Sequence, residues 1–130
     1  MNRLVLVVLR SGARALLDHR ICALIYRLPR SGRIVELPVR YAAVGNVVLV
    51  AVGRPDAKTW WHAFHEPWPV SVLLQGQTRE GVGRVLNLTQ PGHRAALLIY
   101  TVAVGRAVRP ETPVVVIDTV DASDATPERG

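Results

Sequence analysis

The chain has 130 residues, 49% of them hydrophobic, and a formal net charge of +6. This length suits one domain with a core of its own, and the composition is that of a folded globular protein, which excludes extensive disorder. The single cysteine, Cys22, excludes an internal disulfide and fits a reducing cytoplasm.

The positive charge lies in the body of the chain. Residues 1–117 carry 15 basic and 6 acidic side chains, whereas residues 118–130 carry four acidic side chains and one basic one. A positive field attracts nucleic acid, an anionic membrane or a phosphorylated small molecule, and charge alone leaves all three open. We expect a single domain over residues 1–120 and a disordered acidic tail over residues 121–130.

Residues 4–9 form an apolar run between Arg3 and Arg10 that is far shorter than the ~20 residues a membrane span needs. It begins a predicted first helix with one apolar stripe: Leu6, Leu9, Ala13, Leu16 and Leu17. Such a stripe usually packs on its own domain, and it leaves peripheral membrane contact open. We therefore predict a cytoplasmic protein, with membrane association through this helix as the alternative.

The next three predicted strands cover residues 21–28, 33–43 and 47–52. The turn Pro29-Arg30-Ser31-Gly32 joins the first two into a hairpin with a basic tip. Pro38 removes one ladder donor, so it predicts an edge or a bulge in the second strand. The third strand is apolar throughout, as is typical of a central strand buried on both faces.

Three more strands are predicted over residues 70–75, 78–88 and 113–120. Gly81 and Gly83 indicate a bulge or strong bend in the fifth strand. Asn87 or Thr89 is expected to cap a helix that continues over residues 95–104 and ends at Gly105. Six strands joined mostly by hairpins predict a mainly β, α+β fold, a small six-stranded antiparallel barrel with flanking helices at its beginning, middle and end.

Residues 53–69, GRPDAKTWWHAFHEPWP, contain all three tryptophans, the only phenylalanine and the only lysine. The sequence predicts a short helix over residues 58–65, which begins after an Asp56 N-cap and ends before Pro67. Helical spacing pairs Trp60 with Phe64 on one face, and residues 61 and 65 on the neighbouring face. One pair would then face the core and the other a groove.

This aromatic segment has two interpretations. Tryptophan-rich helices more often cover a core than bind a ligand. However, the expected helix N-terminus lies beside Arg54 and Lys58, which favours an anion. A planar, anionic ligand would match both the rings and the charge.

The usual catalytic spacings are absent. The chain has no P-loop and no nucleophile elbow, and the glycine pattern at residues 81–86 ends in Leu86 where a dinucleotide fingerprint needs a third glycine. His62 and His65 are three residues apart, but a third metal ligand is missing, so a groove-lining role is favoured over zinc. An enzyme built this way would need a cofactor to supply the reactivity.

Taken in order, five landmarks resemble the deazaflavin-dependent nitroreductase and quinone reductase family of actinobacteria, over residues 3–118. Each landmark by itself is only moderately specific, and the order and spacing carry the resemblance. The landmarks are YRLPRSG at 26–32, ELPVRY at 36–41, the strand at 47–52, GRPDAKTWW at 53–61, and residues 70–86.

The resemblance implies a split β-barrel like that of flavin-binding pyridoxamine-phosphate-oxidase relatives, with the coenzyme F420 bound in a groove. It implies a basic tip for the charged part of the coenzyme, two basic side chains nearby, a strand segment along the deazaflavin ring and an aromatic pair over the groove. The tip is Arg30, Ser31 and Gly32, and the basic side chains are Arg54 and Lys58. The strand segment is Pro38 and Val39, and the aromatic pair is Trp60 and Trp61.

The function implied is hydride transfer from the reduced coenzyme to a quinone, nitro compound or other electron-poor acceptor. The protein would supply placement, exclusion of water and a positive field, and no side chain need be a covalent catalyst. Tyr41 and Tyr100 are candidates to face the acceptor or donate a proton. Both could equally be core tyrosines, and the core is favoured for Tyr100.

Two other classes stay in view. The family commonly has an asparagine after its aromatic pair, where this chain has Ala63, so one alternative is a divergent, non-catalytic split barrel that binds F420, FMN or another ligand. The other is a basic barrel for single-stranded nucleic acid. That class needs aromatics spread along strands, whereas here they lie in one segment, so no nucleic-acid partner is predicted.

Overall fold

A computed structural model describes residues 18–120; the predicted first helix and the acidic tail lie outside this range. The described residues form six strands, one α-helix and two short 3-10 turns: β1 (Asp18–Arg27), β2 (Ile34–Val44), β3 (Val47–Ala51), η1 (Pro55–Ala57), η2 (Trp60–Phe64), β4 (Trp68–Leu74), β5 (Gln77–Leu86), α1 (His93–Val104) and β6 (Val114–Val120). Within residues 18–120, no helix is long and apolar enough to span a bilayer.

The strands form a closed barrel in the order β1-β2-β3-β6-β5-β4, and all neighbouring strands are antiparallel. The seam between β1 and β4 is short, with the pairs Ala23↔Leu73, Leu24↔Val72 and Ile25↔Ser71. The prediction of a mainly β, six-stranded antiparallel barrel is therefore confirmed.

Apolar side chains form two clusters, one inside the barrel and one between its outer wall and α1. Because strand side chains alternate, β3 contributes to both: Val48 and Val50 point inside, and Val47 and Leu49 lie in the cluster with α1. This arrangement confirms the prediction of a central strand buried on both faces. It also fixes α1 against the outside of the barrel.

β2 has 11 residues, whereas β3, one of its two neighbours, has five. It pairs with β1 along its whole length, from Arg27↔Ile34 onward, but with β3 only at Ala42, Ala43 and Val44. Residues 34–41 therefore carry a free edge within the described ladders, and Pro38 lies on it as predicted.

Gly81 and Gly83 do not mark a bulge. The register from β5 to β4 and to β6 continues without a shift at both residues, so of the two predicted alternatives, a bulge or a strong bend, the bulge is excluded. The glycines instead allow close packing: a Cβ on Gly81 would lie 2.5 Å from the backbone oxygen of Asp118, and one on Gly83 would lie 2.8 Å from a ring carbon of Phe64.

The ends of α1 confirm one prediction and correct another. Gly105 ends the helix in the left-handed region, as expected of a C-terminal glycine. At the other end the N-cap is Gly92, without a side-chain hydrogen bond, rather than Asn87 or Thr89. The amide nitrogen and side chain of Asn87 instead donate to Oε1 of Gln90, in the turn that precedes the helix.

Candidate functional site

The aromatic segment folds as two 3-10 turns, and the second, Trp60–Phe64, is shorter and more tightly wound than the helix predicted over residues 58–65. Arg54 has a left-handed backbone (φ 52°) and Lys58 is extended, which interrupts any continuous helix. Asp56 lies inside η1 and neither turn has a side-chain cap. The capped helix N-terminus that was expected to bind an anion is therefore not formed in this segment.

Trp60 and Phe64, the pair predicted to share one face, pack on the barrel interior. Phe64 is fully buried, with its ring centroid 5.0 Å from that of Tyr26 and 6.4 Å from that of Trp60. The Tyr26 hydroxyl donates to the Trp60 carbonyl at 3.0 Å. This pair therefore covers the core, which is the commoner interpretation of such rings.

Trp61 holds the two turns together. Its indole Nε1 donates to the carbonyls of Lys58 (3.0 Å) and Pro55 (3.3 Å), and the side chain is largely buried. The rings of His62 and His65 lie beside it at 4.2 and 5.5 Å. Both histidines are exposed, and among residues 18–120 no group of three potential metal ligands occurs.

A cavity of about 1050 Å³ lies where β2 and β3 meet η1, the C-terminal half of α1 and the loop over residues 105–113. One side is formed by Trp61 and η1, another by Tyr100 and Val104 of α1. The cavity therefore combines flat rings with backbone from four different parts of the chain.

The cavity is positively charged. Four of its lining side chains are arginines and two are carboxylates: Arg40, Arg54, Arg106 and Arg109, against Asp56 and Glu111. Arg109 and Glu111 form a 3.9 Å ion pair, which is weak because both side chains are exposed. The remaining charge favours an anionic ligand.

Tyr100 lies among these charges although it is 6% exposed. Burial raises the pKa of its hydroxyl, and the nearby charges of Arg40 and Arg106 partly oppose that rise. The hydroxyl therefore stays protonated at neutral pH and is able to donate a hydrogen bond. The tyrosine favoured for the core thus also lines the cavity.

Only two of the nine expected cofactor residues, Arg54 and Trp61, line this cavity. The carbonyl of Lys58 accepts a bond from the Trp61 indole, and Trp60 packs on the barrel interior. The strand alternation puts Pro38 outward and exposed but Val39 inward and half-buried, so their side chains do not share one face.

The basic tip lies at the other end of the free edge of β2. The six residue steps from Ile34 to Arg40 span roughly 20 Å of strand. Within the tip, Gly32 has φ 75° and its carbonyl accepts a bond from Arg27, while Oγ of Ser31 accepts one from the amide of Arg33. Ser31 and Gly32 are thus explained by the turn, and Arg30 stays exposed.

Tyr41 is fully buried inside the barrel, where Nε2 of Gln75 lies 3.4 Å from its hydroxyl, and it does not line the cavity. Arg40, Arg106 and Arg109 also line the cavity, and they are not among the residues expected from the sequence. Arg40 could have been found, because alternation with an inward Tyr41 turns it outward beside the predicted edge. The other two lie in a loop without a periodic pattern.

No protein-family model and no curated protein matches the sequence. The fold is similar to that of a solved FAD- and heme-binding protein from Mycobacterium smegmatis, with a TM-score of 0.57 over 86% of this chain and 68% of that one. The two sequences are 16% identical, so the likeness supports the fold.

Proposed function

We propose that this chain is a split-barrel protein that binds a planar, anionic redox cofactor in the cavity beside β2. The leading candidate is the deazaflavin F420, with FMN as the alternative. The observation that carries the proposal is the grouping of Arg40, Arg54 and Arg106 with the rings of Trp61 and Tyr100 around one cavity. The solved FAD- and heme-binding protein with a similar fold supports the same class of ligand.

The dimensions and charge suit such a ligand. A volume of about 1050 Å³ is at the upper end of ordinary ligand pockets, which is large enough for a tricyclic ring with an anionic chain. Arginine binds phosphate and carboxylate through paired donors, so Arg40, Arg54 and Arg106 would hold the anionic part. The exposed tip at Arg30 is the competing location for that part.

The proposed activity is reduction of a quinone, nitro compound or other electron-poor small molecule. The bound, reduced cofactor would supply the hydride. Trp61 would exclude water from one side of the site, and the positive field of the cavity would stabilise negative charge that develops on the acceptor. The protonated hydroxyl of Tyr100 would donate a hydrogen bond to the reacting molecules.

The second candidate is a cofactor-binding protein without reductase activity. Ala63, which stands where the resembled family commonly has asparagine, is half-buried and packs against the barrel interior rather than lining the cavity. A polar contact to the cofactor from this position is therefore missing. Loss of that contact favours binding that persists without efficient turnover.

The test is a titration of the full chain with F420, and in parallel with FMN, followed by fluorescence quenching and polarisation. Arg40→Gln should weaken binding by about tenfold, because it removes a charge-assisted contact, and should reduce the salt dependence. Arg30→Gln is the matched control and should change the affinity little.

Each outcome separates the alternatives. Loss of affinity in Arg30→Gln but not in Arg40→Gln would place the anionic part at the hairpin tip. Saturable binding with acceptor-dependent oxidation of reduced F420 supports the reductase, and binding without oxidation supports the second candidate. If neither cofactor binds, both candidates fail.

A further inference from the structure

The side of α1 that faces away from the barrel is apolar and exposed. Leu98 and Val102 are 63% and 61% exposed, and with Arg94 they form one stripe at a spacing of four residues. Leu88, just before the helix, is 57% exposed. A surface helix of a soluble domain normally carries polar side chains on this face.

The opposite side of α1 already packs on the barrel. Ala96, Leu97, Tyr100 and Ala103 are buried there. The helix is therefore apolar on both sides, and barrel packing explains only one of them. The outer stripe, which we define as Leu88, Arg94, Leu98 and Val102, is a surface that a partner would cover.

Arginines lie within the outer stripe and just beyond it. Arg94 lies within it and is exposed, and the exposed Arg106 and Arg109 follow the C-terminal end of the helix, where they also line the cavity. Residues 87–110 contain no aspartate or glutamate, and Glu111, just beyond them, forms the exposed ion pair with Arg109. The partner must therefore be apolar where it meets Leu98 and Val102, and anionic around them.

These two requirements decide among the partners. A second copy of the chain would bring the same arginines together, and three aliphatic side chains supply only a small part of the ~800 Å² per partner that a stable dimer buries. Single-stranded nucleic acid prefers stacking aromatics, and this stripe is aliphatic. An anionic lipid surface meets both requirements, since leucine and valine enter the acyl boundary while arginines contact lipid phosphates.

We propose that α1 docks the protein on anionic membrane surfaces, lying flat with its outer stripe in the lipid interface. The helix has 12 residues, or about 18 Å of length, so it lies on the bilayer and does not cross it. Tyr100 and Val104 of the same helix line the cavity, so docking would bring the cavity close to the lipid. The docking does not depend on the bound cofactor.

The test is co-sedimentation of the full chain with vesicles of equimolar phosphatidylglycerol and phosphatidylcholine, compared with vesicles of phosphatidylcholine alone. The wild-type chain should bind only the anionic vesicles. The double variant Leu98→Gln/Val102→Gln should lower the partition coefficient by about tenfold, because the inserted apolar groups are lost. Arg94→Gln should lower it by about fivefold and weaken its salt dependence.

Ile34→Gln is the matched control. Ile34 is 62% exposed, as Leu98 is, but lies at the start of β2 on the hairpin, so its substitution should leave vesicle binding unchanged. All these positions are exposed, and circular dichroism with thermal unfolding checks that each variant folds.

Three results would overturn the proposal. One is vesicle binding that survives the Leu98→Gln/Val102→Gln substitution. Another is binding that depends instead on Leu9 and Leu16, tested as Leu9→Gln/Leu16→Gln, with α1 intact. The third is a wild-type dimer in sedimentation equilibrium that the α1 double variant converts to a monomer, since the stripe would then bind a second copy.

Discussion

Gly81 lies so close to β6 that a Cβ at this position would be 2.5 Å from the Asp118 carbonyl oxygen. We expect Gly81→Ala to lower the free energy of unfolding by about 1–3 kcal/mol, because the added Cβ would meet the Asp118 carbonyl and push β5 away from β6. Urea unfolding measures the change.

Gly53→Ala is the control for that substitution. A Cβ on Gly53 would meet no other part of the chain within 4 Å, and the φ of this residue is not positive, so alanine there should leave stability equal or slightly higher. Equal losses at Gly53 and Gly81 would contradict the close-packing explanation.

Three buried acidic groups predict how stability depends on pH. Burial raises the pKa of the Cys22 thiol from 9.0 to about 12, and that of the Tyr26 hydroxyl from 10.0 to about 12; it also raises the pKa of the Tyr100 hydroxyl. Above pH 9 the unfolded chain loses the Cys22 proton while the folded chain keeps it. The free energy of unfolding should therefore fall by about 1.4 kcal/mol per pH unit between pH 9 and the folded pKa, with Tyr26 and Tyr100 adding to the fall above pH 10.

Cys22→Ala separates the thiol from the two tyrosines. Urea unfolding at pH 8, 9 and 10 should show a shallower decline between pH 9 and 10 in this variant than in the wild-type chain, because Tyr26 and Tyr100 have barely begun to titrate in the unfolded state. Identical slopes would show that the thiol is not desolvated in the folded chain.

Among single residues, the sequence predicts the structural position of those whose role depends on their own backbone and their near neighbours in sequence. Pro38 is expected at an edge because it lacks an amide donor, and Gly105 at a helix end because of its backbone freedom; both lie there. The predicted bulge at Gly81 is absent, and close packing on Asp118, 37 positions away in sequence, explains that glycine instead. A collision between distant residues leaves no local pattern.

At the scale of elements, the two 3-10 turns depend on the hydrogen bonds of one indole. Trp61→Phe removes the donor to the Pro55 and Lys58 carbonyls. We therefore expect the free energy of unfolding to fall by about 1–2 kcal/mol more than the smaller buried ring area alone would cause. Trp60→Phe is the matched control, since it is the Trp60 backbone carbonyl, which the substitution keeps, that accepts the Tyr26 hydroxyl.

Urea unfolding of both variants gives the difference, and amide hydrogen exchange over residues 55–64 should accelerate in Trp61→Phe alone. The idea that Trp61 joins η1 to η2 fails if the two variants lose equal stability and exchange alike. The result also bears on the proposed site, because η1 forms one wall of the cavity.

The strands are more predictable than the aromatic segment. Alternating side chains, turn residues and a continuous apolar run locate all six strands to within a few residues. The segment at 58–65 is expected to be one helix because Asp56 can cap it and Pro67 can end it. The left-handed backbone of Arg54 and the extended backbone of Lys58, which enclose η1, depend on how the segment fits across the barrel, and neither residue type requires such a backbone.

At the scale of the whole molecule, the six-stranded barrel follows from the strands, since their hairpin connections leave few ways to pair them. The cavity does not follow in the same way. Its arginines come from β2, the loop before η1 and the loop after α1, and only the tertiary fold brings these parts together. The family resemblance indicates an anionic, planar ligand, but assigns most of its residues elsewhere on the surface.

The free edge of β2 has a further consequence for how copies of this protein behave when crowded together. An unpaired strand edge is a template on which a strand of another molecule can add, the first step of sheet-like aggregation. Here the outward side chains of the edge are those of Ile34, Glu36, Pro38 and Arg40. Pro38 has no amide hydrogen to donate, and the charged side chains of Glu36 and Arg40 flank it. The same proline that predicts an edge from the sequence also disfavours the addition of another strand to that edge.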